Sequence, residues 1–544
     1  MKIESYQKKE DIEKYTREGF YNKWTLCDYI YRWAKAFPDK EALIDINTRL
    51  TWLQYKNIMD KMALNFLDLG IKKGDFVVTQ IPNSVEAIIT EFALGRIGAC
   101  IVPLAMQWRQ HELDYVLGQT KATAVIILNE YGGYDYPSMI KDLKSNHDHL
   151  KHTIVIGDKA PDWTISYKKL WENNIEEKYP EDYLSKNCTL DANDVVTMCY
   201  TSGTEADPKG CPRTHNMWKS FARCFLLDFQ LNGSDRVVTS LPWINIFAQV
   251  VTVLSMAMTG GTLILLDGFE PEGFAKILEK EKGTVYPGVP AMHIAMLSSL
   301  DFSLYDFSQL RLVVSGGAPC PTPVIKGLME KFGCLVVNGW GSNEGTFNST
   351  EIGLAPEIVS ESIGVSEIFF ETKIVDDKGS TVGVNETGEY CQRGPGLIGG
   401  YYERDDLNKK SWDEDGFFHT GDAVKRDENG FIHFVTRLKD IIIRGGLNIS
   451  AEEVEFILYK HPKILNVAIV GMPDQKLGEK SCAFIELKPE AEKLSLKEIT
   501  DFMEKEGVAK YKWPEKIEIT NMLPRTPTGK VLKYKLREEI SAKV

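Results

Sequence analysis

The chain has 544 residues, 43% of them apolar and 26% charged, with a formal net charge of −13. That length exceeds what one hydrophobic core supports, so at least two domains are expected, and the composition is that of a globular enzyme. The acidic balance excludes a general nucleic-acid binder, which needs a basic face.

The N-terminal stretch MKIESYQKKEDIEKY is charged throughout and contains no apolar signal core. From there to about residue 435, β-rich runs alternate with helical stretches, as βαβ units do. The runs are 75-DFVVTQIPN-83, 99-ACIVPL-104, 123-TAVIIL-128, 195-VVTMCY-200, 262-TLILLD-267, 311-RLVVSGG-317 and 334-CLVVNGWG-341. Several end in Gly-rich or polar loops, where ligands of open α/β sheets gather. One such loop, 200-YTSGTEADPKGC-211, precedes 214-THNMWKSFARCFLLDF-229, which reads as a helix. The longest apolar stretch, 250-VVTVLSMAMTGGTLILL-266, is broken by a glycine pair and is too short to span a bilayer comfortably. Ten cysteines, from Cys27 to Cys482, stand singly without CxxC or metal-ligand spacing. Unpaired thiols in apolar runs fit a reducing compartment, so the chain is expected to be cytoplasmic, with no membrane span.

Near residue 436 the texture changes. The segment 436-TRLKDIIIRGGLNIS-450 reads as a charged joint followed by a strand and a Gly-Gly turn. Then come a short helix with a Ser450/Glu453 capping box, the strand pair 467-VAIVGM-472 and 482-CAFIEL-487, a helix near 495–506 and a Lys-rich tail. This is a small α+β unit of roughly 100 residues. The expected organisation is a domain over residues 1–436 and a second over 437–544, with a cleft between them that can close.

The loop 200-YTSGTEADPKG-210 has the chemistry of an anion cradle: backbone N–H groups in a Gly/Ser/Thr turn plus a lysine. It fails the G-x-x-x-x-G-K-[ST] pattern, since Lys209 lies between Pro208 and Gly210. YTSGT-x-x-x-PKG instead resembles the phosphate-loop signature of the adenylate-forming superfamily: acyl- and aryl-CoA synthetases, firefly-type luciferases and peptide-synthetase adenylation domains. The likeness runs through 315-SGGAP-319, 338-NGWGSNE-344, 388-GEYCQRGP-395, 417-FFHTGD-422, 436-TRLKD-440, 445-GGLNIS-450 and 523-LPRTPTGK-530, in the family's order. The resemblance implies an α/β fold with a large multi-sheet N-terminal domain and a small α+β C-terminal domain that rotates about a hinge. It also implies ATP with Mg²⁺ between the domains, and coenzyme A as co-substrate.

By the same resemblance, Thr201, Ser202, Gly203, Thr204 and Lys209 surround the β- and γ-phosphates, and Glu344 with Thr204 holds Mg²⁺, a hard cation that takes oxygen ligands. Gly317, Ala318 and Pro319 form the adenine slot, and Asn338, Gly339, Trp340, Gly341 and Asn343 line the nucleotide. Trp340 takes the place of a tyrosine that stacks on adenine; core packing is the other reading of that ring. Asp422 accepts the two ribose hydroxyls, and Arg437 reaches ribose or phosphate. Lys530 bridges the substrate carboxylate and the α-phosphate. Lys439 is the hinge, and Gly445 and Gly446 form part of the pantetheine tunnel. Catalytic roles thus fall to Lys530, Glu344, Thr204 and Lys209, and the acyl pocket to Asn245, Phe247, Ala291, Met292, Ser315, Gly316 and Gly341.

Three departures from the family pattern stand out. Glu205 and Ala206 replace a Thr-Gly pair in the phosphate loop, and the acids Glu205 and Asp207 are expected to face solvent. Asn343 replaces a threonine, and its amide can make the same donation. In 241-LPWINIFAQ-249, Asn245 stands at a histidine position, followed by apolar Ile246 and Phe247. That favours an apolar, alicyclic or aryl carboxylate over dihydroxybenzoate. Gln249 resembles the branch containing betainyl-CoA ligases, although the sequence shows no acidic residue nearby to hold a quaternary amine. The expected activity is an acid–thiol ligase making acyl-CoA, AMP and pyrophosphate. The alternatives are loading of a carrier-protein phosphopantetheine and a silent nucleotide-binding protein. The end of the chain soon after Lys530 favours free coenzyme A, and the family's frequent dimers make a homodimer compatible.

Overall fold

The computed structural model describes residues 4–201, 208–445, 447–491, 493–525 and 531–543. Two sheets dominate the large N-terminal part. One has seven strands in the order Lys209–Thr214, Val195–Thr201, Cys100–Pro103, Phe76–Gln80, Ala124–Leu128, His152–Ile156 and Ile165–Ser166. The other has eight: Phe347–Ser349, Leu335–Gly341, Leu312–Gly316, Val285–Gly288, Arg236–Thr239, Thr262–Leu265, Glu41–Ile44 and Arg49–Thr51. Their interior neighbours are parallel; the Val195–Thr201/Lys209–Thr214 pair and the two outermost pairs of the second sheet are antiparallel.

These interior strands are apolar on both faces because each face meets a different core. Val77, Ile126, Val237, Leu263, Val314 and Val337 point into the layer between the sheets. Their chain neighbours Val78, Ile127, Val238, Ile264, Val313 and Val336 point into the outer layers. The helix Val85–Ile97 lies in the middle layer and is buried all round, which its sequence VEAIITEFALGRI anticipates. Ser84 caps its start, and Gly98 ends it at φ 75°. The apolar stretch 250–266 folds as a buried π-helical turn, Gln249–Leu254, then a helical turn and a strand. Among the described residues no helix is long and apolar enough to cross a membrane.

A third, antiparallel sheet of four strands follows: Glu371–Val375, Thr387–Arg393, Phe418–Arg426 and Ile432–Arg437. The small C-terminal domain has its own five-stranded sheet. Strands Ile464–Asp474 and Gly478–Leu487 pair antiparallel at its centre, with Lys516–Ile519 parallel to the second. The expected helix near 495–506 is Leu496–Lys505, and the Lys-rich tail folds as the helix Lys533–Ser541.

Two local expectations need correction. The helix expected over 214–229 is His215–Asp228, but the end of the loop before it is not irregular: Lys209–Thr214 is an edge strand antiparallel to Val195–Thr201. At Ser450 half of the capping box forms. Its hydroxyl accepts from Glu453 N at 3.0 Å, whereas the Glu453 carboxylate takes Lys512 Nζ at 2.7 and 2.8 Å.

Gln249 has an acidic neighbour after all. Its Nε2 lies 3.2 Å from both oxygens of Glu91 on the buried helix, and its own Oε1 has no hydrogen-bond partner. Burial raises the Glu91 carboxyl from 4.5 to about 7. The folded state therefore keeps a proton that the unfolded chain releases between those values, so stability falls as pH rises through that window. Glu91→Gln places an amide that can donate to the orphaned Gln249 oxygen without this penalty. The variant should be more stable than the parent at pH 8 by about 1–3 kcal/mol, the gap shrinking below about pH 5; denaturant melts that show one gap at both pH values would refute it. Phe347, 1% exposed, stacks on Phe225 with ring centroids 4.0 Å apart in the middle core. Phe347→Ala should cost about 3–5 kcal/mol in the same assay.

Candidate active site

The first group of side chains gathers at the mouth of the Val195–Thr201/Lys209–Thr214 hairpin. Thr201 and Lys209 are paired across the two strands, which fixes both ends of the phosphate loop. Ser202, Gly203, Thr204, Glu205, Ala206 and Asp207 lie outside the described residues. Gly210 admits the segment after residue 400: Tyr402 N donates to its carbonyl at 2.9 Å, and a Cβ there would sit 3.3 Å from Tyr402 Cβ. That contact seats Tyr401 beside Lys209, whose Nζ lies 5.1 Å from the centre of the Tyr401 ring. The Tyr401 hydroxyl donates to Glu344 Oε1 at 2.6 Å. Burial, and next the Glu344 charge, hold the phenol well above its usual range, so Tyr401 stays a donor. Lysine, phenol and carboxylate from three distant segments thus form one array.

The loop carrying Asn343 and Glu344 is anchored from below by Arg213, a fully buried residue. Its Nη1 donates to Gly396 O at 3.0 Å and its Nη2 to Asn343 O at 2.8 Å, and its guanidinium lies 4.5 Å from the Trp218 ring centre. Gly345 follows at φ +100°, and a Cβ there would stand 2.3 Å from Gly396 O and 2.8 Å from Arg213 Nη2. The bend and the close approach both demand glycine.

A second group forms where the third sheet meets the end of the strand Leu335–Gly341. Trp340 Nε1 donates to Asp422 Oδ2 at 3.0 Å, and its ring packs 5.5 Å from Tyr390 at an interplanar angle of 50°. Arg437, register partner of Asp422 on the adjacent strand, brings Nε to 2.7 Å from Asp422 Oδ1. Asp422 is 1% exposed, so its charge is balanced by these contacts rather than by water. Asn338 is held in its strand by Thr350, whose hydroxyl accepts from Asn338 N at 2.8 Å and whose N donates to Asn338 O at 2.9 Å, and the buried Asn338 Oδ1 has no hydrogen-bond partner. Gly339 and Gly341 continue the strand, and a Cβ on Gly341 would approach Thr346 O to 2.6 Å.

A third group surrounds the end of the strand Leu312–Gly316. Gly317 bends away at φ +81°, and Gly317, Ala318 and Pro319 are exposed. A Cβ on Gly316 would touch the Phe247 ring at 3.0 Å, so glycine makes room for that ring. Phe247, Met292 and Val289 belong to one apolar cluster, Ser315 is buried, and Ala291 is exposed in the first turn of Pro290–Ser299. Asn245 caps the turn Ile246–Ala248, its Oδ1 accepting from Phe247 N at 3.2 Å.

The last group lies around Lys439, exposed in the turn Leu438–Asp440. Arg537 on the final helix donates to Lys439 O at 3.4 Å and pairs with Asp440. Lys533, one turn away on the same helix, bonds Glu455 at 2.9 Å and Glu452 at 3.2 Å, and Glu452 also takes the Thr436 hydroxyl. Gly445 has φ 56° and donates to Leu477 O at 2.7 Å. Gly446 and Lys530 lie outside the described residues; the ends of the segment holding Lys530 are closed by the Arg525–Val531 bridge and by Leu532 N to Pro524 O at 2.8 Å.

Sequence reasoning missed Tyr401 and Arg213. The aromatic pair Tyr401–Tyr402 after Gly399–Gly400 is a signal for the first, whereas nothing local marks Arg213 as buried.

With this geometry in view, comparisons with known proteins are informative. The family described as AMP-binding enzyme matches residues 30–402, and its C-terminal domain matches residues 453–530. A 2,3-dihydroxybenzoate-AMP ligase of Bacillus subtilis is 32% identical over 98% of this chain and 96% of its own. A medium-chain fatty-acid–CoA ligase of Escherichia coli is 31% identical over 97% of this chain and 92% of its own. The crystal structure of the anthranilate CoA ligase AuaEII with anthranoyl-AMP superposes with a TM-score of 0.85 at 26% identity, covering 96% of this chain and 98% of that one. Both family domains in order, over a shared fold, make this chain a member of the AMP-binding enzymes, the adenylate-forming ligase superfamily.

Proposed function

We propose that the chain is an AMP-forming carboxylate–CoA ligase acting on an apolar aliphatic, alicyclic or aryl acid. The observation that carries the reading is the Lys209–Tyr401–Glu344 array at the mouth of the phosphate-loop hairpin. A carboxylate is a poor electrophile because its leaving group would be oxide. Its oxygen therefore attacks the α-phosphorus of ATP, the bond to pyrophosphate breaks, and the acyl carbon acquires AMP as a leaving group. Negative charge moves onto the departing phosphates, so donors fixed beside them lower the barrier. Lys209 supplies one such cation, with Thr201, Ser202, Gly203 and Thr204 around it.

The Glu344 carboxylate, half-buried and oriented by Tyr401, is the donor type a hard divalent cation takes, so the residues fit Mg²⁺; Thr204 is the second expected ligand. Bound there, Mg²⁺ neutralises triphosphate charge. Asp422 receives the ribose hydroxyls, its two carboxylate oxygens suiting a vicinal diol. Gly317, Ala318 and Pro319 border the base, with Asn338, Gly339, Trp340, Gly341 and Asn343 beside the nucleotide. The apolar setting of Phe247 and Met292 beside Gly316 supports an apolar acyl group, and the Asn245 oxygen is already used by its own turn.

For the second half-reaction, the part of the chain after residue 436 turns about Lys439. Lys530 withdraws, Gly445 and Gly446 come to border the pantetheine arm, and the thiol sulfur attacks the acyl carbon as AMP leaves. Arg537 and Lys533, which tie the final helix to the hinge, support this division of the chain at 436/437. Ten free cysteines support a reducing, cytoplasmic setting. A carrier-protein thiol as acceptor is the second reading, favoured by the relative whose name ends at the AMP ligase step.

Pyrophosphate release over a panel of aliphatic, alicyclic and aryl acids, with and without coenzyme A, tests the reading. Multi-turnover release that depends on coenzyme A is the expected result. A single stoichiometric burst indifferent to it would assign the acceptor to a carrier protein. Lys530→Ala should abolish adenylate formation by a hundredfold or more, on the order of one preorganised donor's worth, yet still pass a supplied acyl-adenylate to coenzyme A. Equal loss in both half-reactions would contradict the rotation. Tyr401→Phe should lower kcat for adenylation about 10- to 100-fold, the worth of one hydrogen bond to a charged group, and raise the Mg²⁺ requirement; unchanged kcat and metal dependence would remove Tyr401 from the site.

A further inference from the structure

Behind the turn that presents Asp422, three metal-type donors converge on one face of the third sheet. Glu389 and Cys391 stand two apart on the strand Thr387–Arg393, and His419 is the register partner of Cys391 on Phe418–Arg426. His419 Nδ1 lies 2.8 Å from Glu389 Oε2 and 3.5 Å from Cys391 Sγ, and the three ligand atoms all fall within 4.8 Å of one another. Carboxylate oxygen, thiolate sulfur and imidazole nitrogen are the ligand types of Zn²⁺ and its close analogues, and three protein ligands leave a fourth tetrahedral position for water.

The surroundings are those of a ligand set. On the far side of the imidazole, His419 Nε2 faces Asp413 Oδ2 at 3.7 Å. Asp413 is itself fixed by Lys373 Nζ at 2.6 Å and by Phe417 N at 2.8 Å. His419 Nδ1 and Glu389 Oε2 share a proton that an arriving ion displaces, and the Asp413 carboxylate behind the ring then favours the proton on Nε2. Glu389 is oriented through its other oxygen, which accepts from Gly421 N at 2.9 Å. Access is one-sided: the Cys391 side chain is buried, while His419 and Glu389 are 27% and 21% exposed, so an ion can enter from solvent past those two.

We propose that Glu389 Oε2, Cys391 Sγ and His419 Nδ1 bind a single Zn²⁺-class ion, at a site separate from the Glu344 carboxylate. Binding displaces to solvent both the Cys391 thiol proton and the proton shared by His419 Nδ1 and Glu389 Oε2, with no change of oxidation state. The thiolate and the carboxylate then neutralise the dication. A thiolate ligand discriminates against Mg²⁺, so the millimolar magnesium of a ligase assay does not fill the site. The site does not depend on which acid or thiol acceptor the enzyme uses.

The test is a Co²⁺ titration of the full, chelator-stripped chain with excess Mg²⁺ and no nucleotide. One equivalent should bind with a thiolate-to-cobalt charge-transfer absorption, and one equivalent of Zn²⁺ should bleach it. Cys391→Ala should lose the absorption, and Asp413→Asn, which touches no proposed ligand position, should keep it with affinity weakened about 10- to 100-fold. Thermal melts of both variants check that the fold survives; should Cys391→Ala melt early, the Asp413→Asn affinity change decides. Absence of the thiolate absorption, its survival in a folded Cys391→Ala chain, or an unchanged affinity in Asp413→Asn would reduce the trio to a hydrogen-bond network and overturn the proposal.

Discussion

The site depends on one buried cation. Arg213 sits on the edge strand that closes the phosphate-loop hairpin, and its guanidinium reaches across to two carbonyls, Gly396 O and Asn343 O, on segments 183 and 130 residues away. A guanidinium taken out of water is expensive unless its donors are used and its charge is compensated. Here two donors meet carbonyls and the flat face lies against Trp218 and Phe221. Burial lowers its affinity for its proton without threatening the charge, since arginine starts so high. The consequence is geometric: with Asn343 and Gly396 tied to one planar group, Glu344 and Tyr401 are carried to the same place. A lysine, with one rotatable point charge, would not bind both carbonyls in fixed directions.

The same economy explains why the scaffold was legible in the sequence. Stretches such as 123-TAVIIL-128 and 311-RLVVSGG-317 carry unbroken apolar runs, AVIIL and LVV, because each strand separates two cores, and that pattern needs no knowledge of partners. The strand Lys209–Thr214 was not legible, because Pro212 in KGCPRT argues against a strand. It is tolerated because the strand is at the sheet edge, where a missing N–H leaves no ladder bond unmade. Edge position is a property of the assembled sheet, so no local reading of KGCPRT contains it.

The candidate site divides along the same line. Residues inside contiguous motifs, such as Asp422 in HTGD and Glu344 in WGSNE, could be singled out from the sequence, and the structure gives them partners across long separations. The contacts that tune them could not be read. Tyr401 meets Glu344 through a 57-residue separation, and Glu91 meets Gln249 through 158. Both pairings arise from packing of helices and loops whose own patterns are satisfied without them. Gln249 shows the cost of arguing from absence: the sequence lists no acid beside it, yet the helix Val85–Ile97 delivers one.

The junction near residue 436 is held unequally on its two sides. Thr436 belongs to the third sheet, yet its hydroxyl reaches Glu452 on the first helix of the small domain, and Glu452 shares Lys533 with Glu455. Lys533 is mostly buried, and the two carboxylates raise its hold on its proton, so the lysine stays charged, while burial pushes the Glu455 carboxyl up from 4.5 to about 7. Breaking such a triad would leave an uncompensated buried charge, which costs several kcal/mol. The final helix is therefore fixed to the helix Ala451–Leu458, and Arg525 pairs with Val531 just ahead of it. Two hydrogen bonds join Ala451–Leu458 and its cap to the third sheet: Thr436 to Glu452, worth about 1.5–3 kcal/mol to a charged acceptor, and the Ser450 hydroxyl donating to Val435 O at 2.6 Å. Ion pairs within the small domain and two exchangeable hydrogen bonds to the third sheet make the junction the weaker of the two contacts, which is the arrangement that the proposed turn about Lys439 requires.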